Sequence, residues 1–178
     1  MSKMRVKDRD FVEFISAEEM KKVVSRLSDE VKRDFQGRSP LFLVTLNGAF
    51  IFAADFLRLW GSSVEVQFIR YKSYEGMCSS GKITPIMPIG EEVAGRDVII
   101  LEDIVDTGNT MCELLRVVNE YHPNSVSLVS LFSKPEVLNN KLKIDYLGKE
   151  LPNKFIVGFG LDYDGHGRNL PAVYVVED

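Results

Sequence analysis

Cysteine and histidine are nearly missing from this chain, which has two of each in 178 residues. Cys78 and Cys112 form no CxxC pair, and no His stands beside them at ligand spacing, which argues against a zinc centre. Nothing demands a disulfide, so a reducing cytoplasm is the expected compartment. The N-terminal stretch MSKMRVKDRDF has no apolar signal core. Long apolar runs are lacking too: residues 41–60 are the greasiest, but Asn47, Asp55 and Arg58 interrupt them. A buried strand followed by a helix fits that stretch better than a membrane span. Positive charge is short, with 22 Lys and Arg against 26 Asp and Glu and a net charge of −4. Neither nucleic acid nor an anionic membrane is therefore an expected partner. An anionic substrate would need local cations or a metal.

What is present is ordinary for a globular protein: 45% apolar and 27% charged residues, enough chain for one domain spanning 1–178. Ser16 with Glu19 makes a capping-box pattern, and Met20, Val23, Val24, Leu27, Val31 and Phe35 follow at helical spacing up to Gly37. Residues 41–46 are an unbroken apolar strand, 49–60 a helix and 64–70 a strand. Residues 72–82 are polar and contain Gly and Ser, which suits a loop. Residues 83–89, with two prolines, suit an edge strand. Strand 98–101, helix 110–121 and strand 125–132 come next. Residues 136–153 are mixed and polar, and short strands at 155–159 and 173–176 close the pattern. Repeated strand-helix-strand order predicts an α/β fold with a mostly parallel twisted sheet and helices on both faces.

The most informative segment is VIILEDIVDTGNT, residues 98–110. Its apolar start reads as a buried parallel strand. Glu102 and Asp103 follow at the strand's carboxyl end, and Asp106 comes three residues later. Thr107, Gly108, Asn109 and Thr110 then open an amphipathic helix. Carboxylates at a strand tip suit a metal-bound diol. Small residues at a helix start offer main-chain N–H groups to a phosphate. One stretch thus serves both ends of a phosphorylated sugar. Taken residue by residue, Asp106 could equally be a helix N-cap and the acidic pair solvated loop residues. No GxxxxGK[ST] sequence is present, which excludes a nucleoside-triphosphate P-loop.

The segment resembles the phosphoribosyl-pyrophosphate (PRPP) motif of the type I phosphoribosyltransferases. From about residue 40 to 176 the chain resembles one branch, the hypoxanthine-guanine phosphoribosyltransferases. Four further segments carry that likeness: Leu46-Asn47-Gly48, Lys72-Ser73-Tyr74, Phe132-Ser133-Lys134-Pro135, and KFIVGFGLDYDGHGR from 154 to 168. The resemblance implies the type I phosphoribosyltransferase fold with a small hood from terminal segments. It implies transfer of phosphoribosyl from PRPP to N9 of hypoxanthine or guanine, with magnesium (Mg2+), by a homodimer or homotetramer.

It also implies roles for individual residues. Asp106, Thr107, Gly108, Asn109 and Thr110 would hold the 5′-phosphate, and Asp106 would be the general base. Glu102 and Asp103 would hold the ribose hydroxyls, directly or through magnesium. Asn47, Gly48 and Arg168 would meet pyrophosphate. Lys134, Phe155, Ile156 and Asp162 would meet the purine, with Asp162 also a ligand of a second magnesium. Ser73 and Tyr74 would belong to a loop that closes over the reaction centre. Lys134 has a physical argument of its own: an ammonium only donates hydrogen bonds, so at purine position 6 it favours a carbonyl and rejects an amino group. Read alone, Lys134 would be a surface lysine beside a turn proline, and Phe155 a core aromatic. Asn47 departs from the family, where many members have Lys or Arg at this position and a cis non-proline peptide lies at this turn, so a cationic role there is lost. A non-catalytic regulator on the same fold and a receiver-like signalling domain are the rival readings. The acidic pI of about 5.3 speaks against the first, and the clustering of carboxylates as EDxxD against the second.

Overall fold

The computed structural model describes residues 3–73, 83–138 and 142–177, with the side chains of residues 72, 73 and 83 excepted. The chain begins with a hairpin, β1 (Lys3–Val6) and β2 (Arg9–Ile15), and enters helix α1 (Ala17–Asp34). It continues as β3 (Leu41–Thr45), α2 (Phe50–Trp60), β4 (Glu65–Ser73) and β5 (Ile83–Met87). After a short 3-10 turn come β6 (Asp97–Val105), α3 (Asn109–Glu120), β7 (Ser125–Ser133) and β8 (Tyr146–Glu150). Two short strands end it, β9 (Ile156–Val157) and β10 (Val173–Val176).

The unbroken apolar runs become the centre of a six-stranded sheet, in the order β5-β4-β3-β6-β7-β8. Every pairing is parallel except β4 with β5, which places the proline-bearing strand antiparallel at an edge. Both faces are covered, which is why these strands show no polar alternation. Ile99 and Leu101 of β6 pack with α1 and α2 residues such as Leu27, Phe52 and Phe56. Val98 and Ile100 face the other way, with Met111, Leu114 and Val118 of α3. A second sheet of four strands, β1-β2-β10-β9, has its own small core around Phe11, Val157 and Tyr174. It is built from terminal segments, as the family resemblance implies for the hood.

Local signals explain the helix starts. Ser16 caps α1, its hydroxyl accepting from the Glu19 amide at 3.2 Å. Only half of the capping box forms, because the Glu19 carboxylate turns instead to Lys149 of β8 at 2.6 Å. Gly61, at φ 83°, ends α2 in the left-handed conformation that glycine adopts without penalty.

The structure differs from these expectations at five places. Residues 72 and 73 belong to β4 rather than to the loop. Strand β6 does not stop at Leu101 but runs on to Val105, so Glu102 and Asp103 lie within it. The polar stretch 136–153 contains β8, an edge strand with no fully buried residue and hence little apolar signal. The N-terminal hairpin is strand too, and of the short strand expected at 155–159 only Ile156 and Val157 pair.

Ile99 is fully buried at the centre of the sheet. Ile99→Ala should cost about 2–5 kcal/mol of stability. Urea unfolding should show a lower midpoint at unchanged m-value.

Candidate active site

Three parallel strands end at one edge of the large sheet, and each delivers residues expected to carry function. This is the edge where open α/β sheets bind ligands. Strand β3 leads into Leu46, Asn47 and Gly48. Strand β6 brings Glu102, Asp103 and, one residue past its end, Asp106. Strand β7 leads into Lys134. Pairing decides the shape of the edge: β6 stays paired with β7 as far as Val105 opposite Ser133, whereas its pairing with β3 stops at Leu101 opposite Val44. A cleft of about 250 Å3 opens there. Thr45, Leu46, Ile69, Tyr71, Glu102 and residues 104–108 line it, closed below by Thr110, Met111 and Leu114 of α3.

At one end of the cleft the chain turns from β6 into α3. Gly108, at φ 81°, is the N-cap of α3 and supplies no capping side chain. Thr107 Oγ1 accepts weakly from the Asn109 amide at 3.5 Å. Asp106, read alone as a possible cap, is therefore not one. Its carboxylate is more than half exposed and faces Lys134 Nζ at 3.5 Å. The Lys134 side chain is only 12% exposed, so this is no free surface lysine. It is anchored at its main chain, which donates from its amide to the Val105 carbonyl at 3.2 Å.

The paired carboxyl groups of Glu102 and Asp103 lie side by side and only partly exposed. Glu102 is pushed well above the ordinary carboxylate range, first by burial and then by the Asp103 charge beside it. Asp103 is also raised by burial, against the opposing pull of the hydrogen bond with Glu102, nearby amides and the more distant Arg168. Two carboxyls that resist ionising together make a local excess of negative charge that a cation would relieve. Among the described residues no group of three His, Cys, Asp or Glu side chains comes together as a metal cage. The oxygen donors suit magnesium, and a pair suits an ion whose remaining ligands come from water and substrate.

The segment from Phe155 to Arg168, on either side of β9, supplies most of the remainder. Arg168 Nη2 meets Asp162 Oδ1 at 2.6 Å, and Asp162 Oδ2 accepts from the Gly165 amide at 2.6 Å. Asp162 thus stands with Arg168 rather than with the carboxylate pair. Phe155 is 43% exposed, tilted against Phe11 and edge-on to Tyr163 at 5.6 Å between ring centres. A large aromatic held by other rings yet left open on one side is not plain core. Ile156 is buried in β9, paired with Val175. Asn47 is exposed and follows a cis Leu46–Asn47 peptide, as the resemblance implies for this turn. Ser73 ends β4, while Tyr74 and Cys78 lie outside the described residues. Thr45, Tyr71 and Met111 were not anticipated as cleft residues. The position of Thr45 at the end of an apolar run was the only signal available.

This sheet, with its glycine-capped turn into α3 and its acidic strand end, defines a class. Residues 13–164 match the model of the phosphoribosyl transferase domain, and the chain belongs to that family. Among its relatives, the hypoxanthine-guanine phosphoribosyltransferase of Streptococcus thermophilus is 37% identical over 164 residues, covering 92% of this chain and 91% of the relative. The bifunctional protein TilS/HprT of Listeria monocytogenes is also 37% identical, but the chain spans only 25% of its length. A crystal structure of a hypoxanthine-guanine phosphoribosyltransferase from Bacillus anthracis superposes with a TM-score of 0.88 at 33% identity, over 94% of this chain and 97% of that one. No helix among the described residues is long and apolar enough to cross a membrane.

A raised carboxyl pKa destabilises the fold as pH rises from the unfolded-state value, because the unfolded chain ionises first. Glu102 should therefore weaken the metal-free protein above about pH 4.5. Glu102→Gln should melt higher than the parent at pH 7, with the gap closing below the ordinary carboxylate range. Thermal melts from pH 4 to 8 check this, and equal melting curves throughout would contradict it.

Proposed function

We propose that this chain, as a single unit over 1–178, transfers a 5-phosphoribosyl group from PRPP to N9 of a 6-oxopurine. Hypoxanthine or guanine would yield the nucleoside monophosphate and pyrophosphate. The observation that carries the reading is the meeting of Lys134 and Asp106, 3.5 Å apart at the head of the α3 turn. A donor-only cation and a carboxylate stand where a purine could present both a 6-carbonyl and a titratable ring nitrogen beside the phosphate turn.

The roles follow from the chemistry of each group. Main-chain N–H groups and hydroxyls of residues 106–110 take the 5′-phosphate, helped by the α3 dipole. Glu102 and Asp103 hold the ribose diol. Phe155 offers a ring face to the base, and the main chain at Ile156, the first residue of β9, follows directly. Nitrogen N9 attacks C1 of the ribose as the bond from C1 to the pyrophosphate oxygen breaks, with that electron pair leaving on pyrophosphate. The proton carried by the imidazole half of the purine passes to Asp106. Arg168 and the Gly48 amide meet the departing pyrophosphate, and a guanidinium suits that task. Glu102 and Asp103 would hold one magnesium at the ribose hydroxyls and Asp162 a second at the pyrophosphate, where the ions would supply charge neutralisation. Exposed Phe50, Phe68, Ile86 and Met87 provide apolar surface for a cytoplasmic homodimer or homotetramer.

Rates with hypoxanthine, guanine, xanthine and adenine, each with PRPP and magnesium, test the reading directly. Turnover of the 6-oxopurines but not of adenine is expected, and turnover of none would end it. Asp106→Asn should lower kcat by about 100-fold or more, in the range for loss of a general base. Near-normal turnover would remove Asp106 from that role. Lys134→Ala should erode discrimination at position 6, read as a fall in the ratio of hypoxanthine to adenine kcat/KM by about tenfold or more. An unchanged ratio would mean that another group reads that position.

A further inference from the structure

Arg168 and the Gly48 amide sit on different segments, yet the proposed reaction needs both at one leaving group, with Asp103 close by. The geometry points to Gly160 as the positioning residue that holds them together, an inference that rests on the function proposed above. Gly160 lies between Phe159 and Leu161, on the segment that crosses from β9 towards Arg168, and its φ of +102° suits glycine alone. Its carbonyl accepts from Arg168 Nη1 at 2.8 Å, and its amide donates to the Arg168 carbonyl at 2.9 Å. Its open side lies directly on the Gly48 peptide, and a Cβ at 160 would overlap the Gly48 carbonyl oxygen. Gly48 in turn lies directly against Asp103, where a Cβ would overlap the carboxylate.

Arg168, Gly160, Gly48 and Asp103 are therefore stacked with no side chain between the two glycines. Backbone contact fixes the spacing between Gly160, to which the guanidinium is hydrogen-bonded, and the turn at Gly48, against which the Asp103 carboxylate packs. That central step cannot be adjusted by a rotamer, so one added methyl at 160 must part the hood segment from the turn after β3. A displacement near 1 Å at a reacting centre costs on the order of 100-fold. The loss should fall on ligands that carry pyrophosphate. A nucleoside monophosphate uses the phosphate turn and the purine groups and would be spared.

A built-in control separates positioning from folding. Gly158 has φ +106°, and a Cβ there would overlap the Ala172 carbonyl oxygen to nearly the same degree, on the side of β10 rather than of the turn. Strain and overlap are matched in Gly158→Ala and Gly160→Ala, but only the second presses on Gly48. Calorimetric titration of both variants with PRPP plus magnesium, and with guanosine monophosphate, should show Gly160→Ala weakening PRPP by about tenfold or more while the monophosphate changes less than about threefold. Gly158→Ala should show a similar loss of melting temperature with PRPP affinity nearly intact. Equal PRPP losses in both variants, or none in Gly160→Ala, would overturn the assignment. Hydrogen exchange on the unaltered protein gives a second reading if Gly160→Ala fails to fold. Magnesium pyrophosphate should slow exchange at the Gly160 amide and guanosine monophosphate should not; no slowing by pyrophosphate overturns the assignment. Unaltered protein that binds neither PRPP nor the monophosphate would overturn the proposed function itself, and this inference with it.

Discussion

Two carboxyl groups that burial and mutual repulsion keep from ionising together are the constraint round which this edge of the sheet is arranged. Glu102 and Asp103 would be better solvated on the surface, and their raised pKa values record the cost of holding the first in the cleft and the second against the Gly48 turn. Strand β6 holds them there, running on past Leu101 with only β7 to pair with. The open side becomes the cleft. The pair would hold a divalent cation, whose charge would relieve the repulsion between the two carboxyls.

The surrounding groups divide the labour by element. The turn into α3 offers dipoles and amides, which suit a phosphate. The residue after β7 offers a single ammonium, tethered by its main chain so that the position of its tip is limited. The second sheet contributes an aromatic held by two other rings. Each group comes from a different piece of chain, and backbone contacts tie two of these pieces to the strand ends: Lys134 to Val105 of β6 by a hydrogen bond, and Gly160 to Gly48 after β3 by close approach. A site assembled in this way has little freedom to rearrange its fixed charges, as electrostatic preorganisation requires.

Much of this was legible in the sequence, for physical reasons that differ by element. The central strands announced themselves because strands buried on both faces carry unbroken apolar runs. The PRPP motif was legible because its chemistry needs three carboxylates and small residues at fixed spacing. Strand β8 was hidden because an edge strand with half-exposed residues has no such run. The end of β6 is hard to place from sequence because acidic residues normally stop a strand, and here a one-sided ladder carries them. Phe155 could not be assigned from its neighbours, since an aromatic opening an apolar run looks like core until its exposed face is seen. Contacts between the hood and the β3 turn have no linear signature at all: Gly48 and Gly160 are ordinary glycines until the fold sets one on the other.

If phosphate, sugar and purine are read together along this one edge, a crystal structure with guanosine monophosphate and magnesium pyrophosphate should show it. The 5′-phosphate should lie on the amides of residues 107–110, the ribose hydroxyls towards Glu102 and Asp103, and the purine 6-oxygen within hydrogen-bond distance of Lys134 Nζ. A nucleotide whose base lies away from Lys134, or whose phosphate lies off the α3 turn, would contradict it.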